Sequence, residues 1–236
     1  MITPKQVLGG IAGGRVLDVA TGKGGFIEFL IEGLASYDEI IGIDSSKRGA
    51  AAFAEDYKDR PGVHFEQMDA RQPSFPNESF DMVCIANSLH HFDDPAVVLR
   101  QMKRLLRRGK GHFVVAEMVR DGQTETQMTH VYLHHWWAAV DRATGVVHNE
   151  TYRRDEIMRL LAGMGIGDWQ TYDLVDLESD PKDPEILEDL GPVFDTYIKR
   201  AEGHPELQQR GEDLRRRVEV TGFHSATTMI LVGVKR

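Results

Sequence analysis

Cysteine and long apolar runs are both scarce in this chain of 236 residues. The single cysteine, Cys84, cannot form a disulfide within the chain, and cysteine-rich zinc sites are excluded. No stretch approaches the roughly 18 consecutive apolar residues of a transmembrane helix, and the first residues lack the layout of a signal peptide. We therefore expect a cytoplasmic protein that does not associate with a membrane.

Positive charge is also in short supply. The chain has 28 Lys and Arg residues against 37 Asp and Glu residues, which gives a net charge of −9. Non-specific binding to DNA or RNA requires a basic surface. The charge balance therefore favours a small-molecule substrate and disfavours a nucleic-acid partner.

Short apolar runs alternate with amphipathic segments in the first half of the chain, which predicts βαβ units and a parallel sheet. The fourth run, Met82 to Ala86, is apolar throughout, as expected for a strand that is covered on both faces. The predicted strands are 15–20, 39–44, 62–68, 79–86 and 110–117, and the predicted helices between them are 24–35, 46–57 and 95–107.

The second half has a different pattern, with longer charged helices. It predicts a helix at 124–143, a helix that opens at 152–157 and ends near Gly163, a strand at 167–175, helices at 184–201 and 204–219, and a strand at 226–234. No internal repeat or low-complexity linker divides the chain. We therefore expect one domain over 1–236, with a substrate-cover insertion at about 121–150 and a helical insertion at about 183–220.

A glycine-rich turn follows the first strand directly. The apolar run ends at Asp18, and Gly22 and Gly24 follow within the turn. About twenty residues beyond Gly24, the second apolar run ends at Asp44. A glycine turn allows close approach of the backbone to a ligand, and an acid at the next strand end accepts hydrogen bonds from ribose hydroxyls. The pattern therefore predicts a nucleoside-binding crevice.

The turn differs from two known phosphate-binding motifs. A P-loop needs a glycine where Leu17 stands, so that motif is excluded. A dinucleotide fingerprint fits at Gly22 and Gly24, but its third glycine is replaced by the bulky Ile27. Ile27 opposes the close packing of helix on strand that the third glycine permits. An NAD-dependent oxidoreductase therefore remains an alternative and is disfavoured.

The segment from Asp18 to Gly24 resembles the first motif of the class I, seven-stranded S-adenosylmethionine-dependent methyltransferases, with Ala20 where glycine is commoner. The resemblance continues through the strand that ends at Asn87 and the segment Leu89-His90-His91-Phe92, which is typical of the small-molecule branch. It implies an α/β fold with a doubly wound, mainly parallel seven-stranded sheet, an antiparallel last strand and a helical lid or insertion.

The resemblance also implies the cofactor S-adenosylmethionine, the product S-adenosylhomocysteine and methyl transfer to a small-molecule acceptor by in-line displacement. A protein that binds S-adenosylmethionine without catalysis is a further alternative. The implied roles are a ribose contact for Asp44 and an adenine contact for Asp69. The expected cofactor-binding residues are Asp18, Ala20, Gly22, Gly24, Asp44, Ser45, Asp69, Ala70 and Asn87.

Histidines are the candidate catalytic residues, because an unperturbed imidazole titrates near neutral pH. His90 and His91 follow the fourth strand, at the mouth of the predicted site, and His134 lies on the next predicted helix. We predict these three as candidate bases. His130 and His134 share a helix face, but there is no His-Glu-x-x-His motif and no third ligand at a defined spacing, so we expect no metal site.

The same helix carries His135, Trp136 and Trp137, which predict either core packing or the lining of a substrate pocket. A lid of this kind can also pack against a second copy of the chain. A homodimer is therefore compatible with the sequence.

Overall fold

Strands and helices alternate along the chain, and the computed structural model describes residues 2–236. The strands are β1 (Arg15–Val19), β2 (Glu39–Asp44), β3 (Val63–Gln67), β4 (Met82–Ala86), β5 (His112–Met118), β6 (Ile166–Leu174) and β7 (Thr228–Lys235). The helices are α1 (Pro4–Leu8), α2 (Gly25–Gly33), α3 (Ala50–Asp56), α4 (Pro95–Leu105), α5 (Glu125–Ala143), α6 (Arg154–Leu161), α7 (Pro184–Arg200) and α8 (Pro205–Thr221), with a 3₁₀ turn at Leu89–His91.

The seven strands form one sheet in the order β3-β2-β1-β4-β5-β7-β6. Strand β1 pairs in parallel with β2 and β4, whereas β7 runs antiparallel to both β5 and β6. The predicted mainly parallel sheet with a reversed last strand is confirmed. The strand order changes direction between β1 and β4, and open α/β sheets bind ligands at the carboxyl ends of the strands at such a point.

Apolar side chains cover both faces of the sheet, because neighbouring residues of a strand point to opposite faces. Val16 of β1 lies in one apolar cluster with Ile27 and Leu30 of α2. Leu17 lies in the other cluster, with Leu99 of α4. Helices therefore pack on both sides of the sheet, as a doubly wound fold requires.

Helices α5, α7 and α8 form a helical layer with an apolar core of its own. Trp136 of α5 is fully buried there, stacks on Phe194 of α7 with ring centroids 5.7 Å apart, and donates a hydrogen bond from Nε1 to the Leu207 carbonyl at 2.8 Å. Leu133, Val140, Leu214 and Val218 complete the core of this layer. The three helices predicted from the sequence are confirmed, and Trp136 is a core residue.

The largest differences between the predicted and observed elements are local. Helix α3 begins at Ala50 rather than at residue 46, since the preceding residues form a turn whose Ser46 amide donates to Asp44. Strand β4 begins at Met82, and Phe80 makes only an isolated bridge with Leu106. The short helix α1 and the 3₁₀ turn were not predicted.

Among residues 2–236, no helix combines the length and apolar character needed to cross a bilayer.

Candidate functional site

The turn after β1 is held in a left-handed conformation and tied to the end of β2. Its residues Ala20, Gly22 and Gly24 have φ angles of 57°, 57° and 89°. The Gly22 amide donates to Oδ2 of Asp44 at 3.1 Å, and the Ser46 amide donates to Oδ1 of Asp44 at 2.8 Å. Asp44 therefore fixes the turn while part of its hydrogen-bonding capacity remains available to a ligand.

Gly24 is required by close packing as well as by its positive φ. A Cβ atom added there would lie 2.6 Å from the Tyr57 ring and 3.0 Å from the Phe53 ring. The Tyr57 hydroxyl also donates to the Gly24 carbonyl at 2.7 Å. Gly24 therefore shapes the start of α2 and does not line a cavity.

Asp18 is a buried acid at the end of β1, with only 1% of its surface exposed. Its Oδ2 accepts a hydrogen bond from the Thr21 hydroxyl at 2.6 Å, and its Oδ1 is buried without a hydrogen-bond partner among residues 2–236. Burial raises the pKa of Asp18 to about 7, the Thr21 hydrogen bond opposes this rise, and the charge of Asp44 adds to it. A cationic ligand would stabilise the ionised form.

A first cavity of about 310 Å³ opens at the carboxyl ends of β2 and β3, and we call it the β2–β3 cavity. Its volume is that of a small-ligand pocket. Five of the predicted cofactor-binding residues line it: Ala20, Asp44, Ser45, Asp69 and Ala70. The remaining lining residues are Met68, Arg71, His91, Phe92, Asp93, Asp94, Val97 and Val147.

Asp69 forms an ion pair with Arg71 in this cavity. Oδ2 of Asp69 lies 2.8 Å from Nη2 of Arg71, and the Arg71 amide donates to Oδ1 at 2.8 Å. These hydrogen bonds hold the pKa of Asp69 below its usual value. A ligand amino group would share the Asp69 carboxylate with Arg71, and the predicted adenine contact stays a prediction.

A second cavity, of about 410 Å³, opens between α2 and the ends of β1 and β4, and we call it the β1–β4 cavity. Ala20 lines both cavities, so they adjoin at the glycine turn. One wall is apolar and consists of Phe26, Phe29, Leu174 and Ile230. The other lining residues are Asp18, Ala20, Thr21, Gly25, Ala86, Asn87, Ser88, Ala116 and Thr228.

Asn87 is fixed at the end of β4 in a left-handed conformation, with φ at 45°. Its amide donates to the Ala116 carbonyl at 2.7 Å, and its side-chain Oδ1 accepts from the Met118 amide at 2.9 Å. Left-handed non-glycine residues cluster at functional sites. Asn87 and Ala20 both have this conformation, and both line the β1–β4 cavity.

The site has little capacity for a phosphate group. In the β2–β3 cavity four carboxylates, those of Asp44, Asp69, Asp93 and Asp94, outnumber the one guanidinium of Arg71. Two amides of the turn are already engaged, since Gly22 donates to Asp44 and Gly24 donates to the Thr21 carbonyl. Ile27 is fully buried in the core beneath the turn.

Comparison with known families decides the identity of this domain. Residues 16–109 match a family model described as a methyltransferase domain. These residues form a class I methyltransferase domain. A probable phthiotriol/phenolphthiotriol dimycocerosates methyltransferase 2 of Mycobacterium ulcerans is 36% identical over 110 residues, which are 46% of this chain and 41% of the relative. A demethylmenaquinone methyltransferase of Thermotoga maritima is 35% identical over 105 residues, which are 44% of each chain.

The chain therefore spans less than half the length of these two relatives. A solved structure matches nearly the whole fold. The YcgJ protein of Bacillus subtilis superposes with a TM-score of 0.60 at 18% identity, over 94% of this chain and 92% of that chain. This likeness extends the methyltransferase fold beyond residue 109 and through the last strands of the sheet.

A cluster of histidines lies beside the β2–β3 cavity of the methyltransferase domain. The His90 ring centroid lies 4.4 Å from that of His91, 4.7 Å from that of His134 and 5.5 Å from that of His148. His90 and His91 come from the 3₁₀ turn, His134 from α5 and His148 from the loop after α5. His148 has no local sequence signal, because its partners are brought to it by the fold.

Burial keeps the imidazoles of His91, His134 and His148 neutral. It lowers the pKa of His91 to about 3 and that of His134 to about 2, and in both residues the neighbouring histidines lower it further. Burial also lowers the pKa of His148, although the hydrogen bond to Asp141 opposes it. Each ring therefore carries one donor and one acceptor nitrogen at neutral pH.

The three candidate bases occupy different positions relative to the cavities. His91 lines the β2–β3 cavity. His90 and His134 are absent from the lining of both cavities, and His90 is only 1% exposed. Direct contact with an acceptor is therefore open to His91 alone among the three, and its catalytic role stays a prediction.

His130, His135 and Trp137 of α5 contact residues around the helix. His130 accepts a hydrogen bond at Nδ1 from the Ala226 amide at 2.9 Å. His135 places Nε2 3.0 Å from the Thr151 hydroxyl. Trp137 contacts His130, His134 and Tyr197, at centroid distances of 6.5, 6.1 and 5.9 Å. These residues connect α5 to the sheet and to the helical layer.

Proposed function

We propose that this chain is an S-adenosylmethionine-dependent methyltransferase that acts on a small-molecule acceptor with an apolar part. The observation that carries the proposal is the pair of cavities that adjoin at Ala20, at the point where the strand order of the sheet changes direction. The β2–β3 cavity is acidic, and the β1–β4 cavity has an apolar wall.

The chemistry of the donors fits this cofactor. S-adenosylmethionine carries a sulfonium and an ammonium cation and no phosphate. The buried Asp18 has an unpartnered oxygen among the described residues and favours a cation at the β1–β4 cavity. Asp44 would hold the ribose, Ser45 and Ala70 would contact the adenine, and Asn87 would lie at the methionine end. When bound, the cofactor supplies an electrophilic methyl group on its sulfur atom.

The residues of the chain would act mainly by positioning. Methyl transfer is an in-line displacement, and holding the two reacting atoms near attack distance removes much of the barrier. The phenyl rings of Phe26 and Phe29 would exclude water and hold the apolar part of the acceptor. A general base is needed only for an acceptor that must lose a proton. The neutral His91 lines the β2–β3 cavity, so it can accept a hydrogen bond only from an acceptor that reaches past Ala20 into that cavity.

The charge of the site disfavours the oxidoreductase alternative. NAD carries an anionic diphosphate, which binds at free backbone amides of a glycine turn and the helix that follows it. Here the Gly22 and Gly24 amides are engaged, and four carboxylates line the β2–β3 cavity. A non-catalytic protein that binds S-adenosylmethionine would share all these features, so only turnover separates it from an enzyme.

We propose further that 1–236 is one domain in which 121–150 and 183–220 are insertions that cover the acceptor. This is supported by α5, which packs on α7 and α8 and also contributes His134 beside the β2–β3 cavity. The cytoplasmic location and the homodimer stay predictions.

Transfer of a labelled methyl group tests the function. The full chain is incubated with methyl-labelled S-adenosylmethionine and small-molecule extracts separated by polarity. Label should enter acceptors in the apolar fractions, and Asp44→Ala should reduce the rate while the exposed control Asp59→Ala should not. If S-adenosylhomocysteine binds but no fraction accepts label, the enzymatic proposal is wrong and the binding protein is favoured.

A further inference from the structure

Three imidazoles converge behind the β2–β3 cavity. Each of His90, His134 and His148 contributes one ring nitrogen, and these three nitrogens all lie within 4.8 Å of one another. The three residues come from separate elements, so the fold alone assembles the group. A cation or a hydrogen-bond donor between such nitrogens would engage their lone pairs.

Two of the rings are oriented by buried carboxylates. Nδ1 of His90 lies 3.1 Å from Oε2 of Glu117, which is fully buried. Nδ1 of His148 lies 2.7 Å from Oδ2 of Asp141. Each carboxylate accepts a hydrogen bond from the Nδ1–H group of its histidine, so that Nε2 is the nitrogen with a free lone pair. This carboxylate–histidine arrangement orients the ligands of metal sites in proteins and makes them more basic.

The free nitrogens lack partners within the chain. Nε2 of His148 and Nδ1 of His134 are buried and make no hydrogen bond to any of residues 2–236. His148 is only 4% exposed. Buried polar atoms are nearly always hydrogen-bonded in folded proteins, so these orphan nitrogens point to a bound species that the protein chain does not supply.

Charged groups of both signs lie near the cluster. Asp141 pairs with Arg200 on its other oxygen, Oδ1, at 2.6 Å, and Arg142 donates from Nη1 to the His148 carbonyl at 2.6 Å. Glu117 contacts the His90 ring and forms no ion pair with Lys or Arg among the described residues. A divalent cation between the rings would offset the Glu117 charge in a part of the molecule where burial strengthens electrostatic attraction.

We propose that His90, His134 and His148 bind one divalent transition-metal ion, with Zn²⁺ as the representative. Imidazole nitrogen suits zinc, cobalt, nickel and iron, whereas Mg²⁺ and Ca²⁺ take oxygen ligands. Three protein ligands leave a position for water or another small ligand, as in catalytic zinc sites. The inference does not rest on the proposed methyl transfer, and it replaces the sequence expectation of no metal.

The observed spacing requires a modest closure. Zinc–nitrogen bonds of about 2.0–2.1 Å in tetrahedral geometry place the nitrogens about 3.4 Å apart. The nitrogens, which lie up to 4.8 Å apart, must therefore approach one another when the ion binds.

Calorimetric titration of the full chain, freed of metal by chelation, tests the site. Zn²⁺ is added in the presence of excess Mg²⁺. One equivalent should bind, and His134→Gln and His148→Gln should each weaken binding by on the order of 100-fold or more. Asp141→Asn should weaken it by about 10–100-fold, the usual cost of losing an orienting carboxylate. The control His135→Gln changes the next residue of α5 and should leave the affinity unchanged.

Absent binding by the parent chain, or equal affinity in the His134 and His148 variants, would overturn the proposal and indicate that ordered water fills the cluster. Circular dichroism establishes that each variant is folded. Should the variants not fold, Co²⁺ added to the parent chain decides: the intense visible spectrum of four-coordinate cobalt supports the site, and the pale six-coordinate spectrum overturns it. S-adenosylhomocysteine affinity is measured separately, so failure of the metal site leaves the methyltransferase proposal untouched.

Discussion

Asp18 connects the buried end of β1 to the charge of the ligand. Its pKa is raised from 3.8 to about 7, so the folded chain holds this proton more tightly than the unfolded chain does. The contribution of Asp18 to stability is therefore present at low pH and is lost as the pH rises from about 4 to about 7. A bound cation lowers the pKa of Asp18 again, because it stabilises the ionised carboxylate.

The first prediction concerns the pH dependence of cofactor binding. Below pH 7 the affinity for S-adenosylmethionine should rise with pH, approaching tenfold per unit, because binding releases the Asp18 proton. Above pH 7 it should level off. Calorimetry between pH 5.5 and 8 measures this slope. Asp18→Asn removes the titrating group and should flatten the profile; an equal slope in that variant would show that another group is responsible.

Asp44 is predicted to carry the ribose contact. Asp44→Ala should weaken S-adenosylhomocysteine binding by about 1–3 kcal/mol, the range for hydrogen bonds to a charged group. It should also lower the melting temperature, because the amides of Gly22 and Ser46 lose their acceptor. Calorimetry and a thermal melt measure the two effects. If the variant is less stable but binds S-adenosylhomocysteine with unchanged affinity, Asp44 stabilises the turn and does not contact the ribose.

The glycine turn as an element depends on the packing of Gly24. Gly24→Ala should cost about 1–3 kcal/mol of unfolding free energy, since the added methyl overlaps Tyr57 at a positive φ. Gly25→Ala is the matched control: its Cβ meets no atom within 4 Å, so stability should stay within about 1 kcal/mol of the parent. Urea unfolding measures both. If both variants lose the same unfolding free energy, the cost arises from the backbone conformation of the turn and not from the overlap with Tyr57.

Secondary structure was more predictable than the contacts between elements. The bounds of β2 follow from its apolar run and its terminal acid, and the structure reproduces them. The predicted start of α3 was wrong, because the Ser46 amide donates to the Asp44 side chain in a turn that precedes the helix. The grouping of His148 with His90 was not predictable, since no periodicity relates a loop residue to a 3₁₀ turn.

On the scale of the whole molecule, the helical layer depends on close contact between α5 and α8. Gly211 of α8 lies against Trp136, and a Cβ atom there would be 2.4 Å from the indole ring. Gly211→Ala should therefore cost about 1–3 kcal/mol of unfolding free energy, while the neighbouring exposed control Arg210→Ala should change it by less than about 0.5 kcal/mol. Chemical denaturation followed by Trp fluorescence reports both values.

Sheet topology was predictable because the resemblance to class I methyltransferases implies a reversed last strand, and β7 has that direction. The predicted cofactor residues also come together, since seven of the nine line one of the two cavities, and Gly22 and Gly24 shape the turn. The division of the site into an acidic and an apolar cavity was not predictable. It depends on Leu174 and Ile230, which the fold brings to α2 from distant strands.

Parallel titrations of the full chain with S-adenosylhomocysteine and NAD show most directly which ligand the glycine turn binds. Calorimetry should show one molecule of S-adenosylhomocysteine bound per chain and no saturable binding of NAD. Saturable NAD binding without S-adenosylhomocysteine binding would contradict the account and make the glycine turn a dinucleotide site.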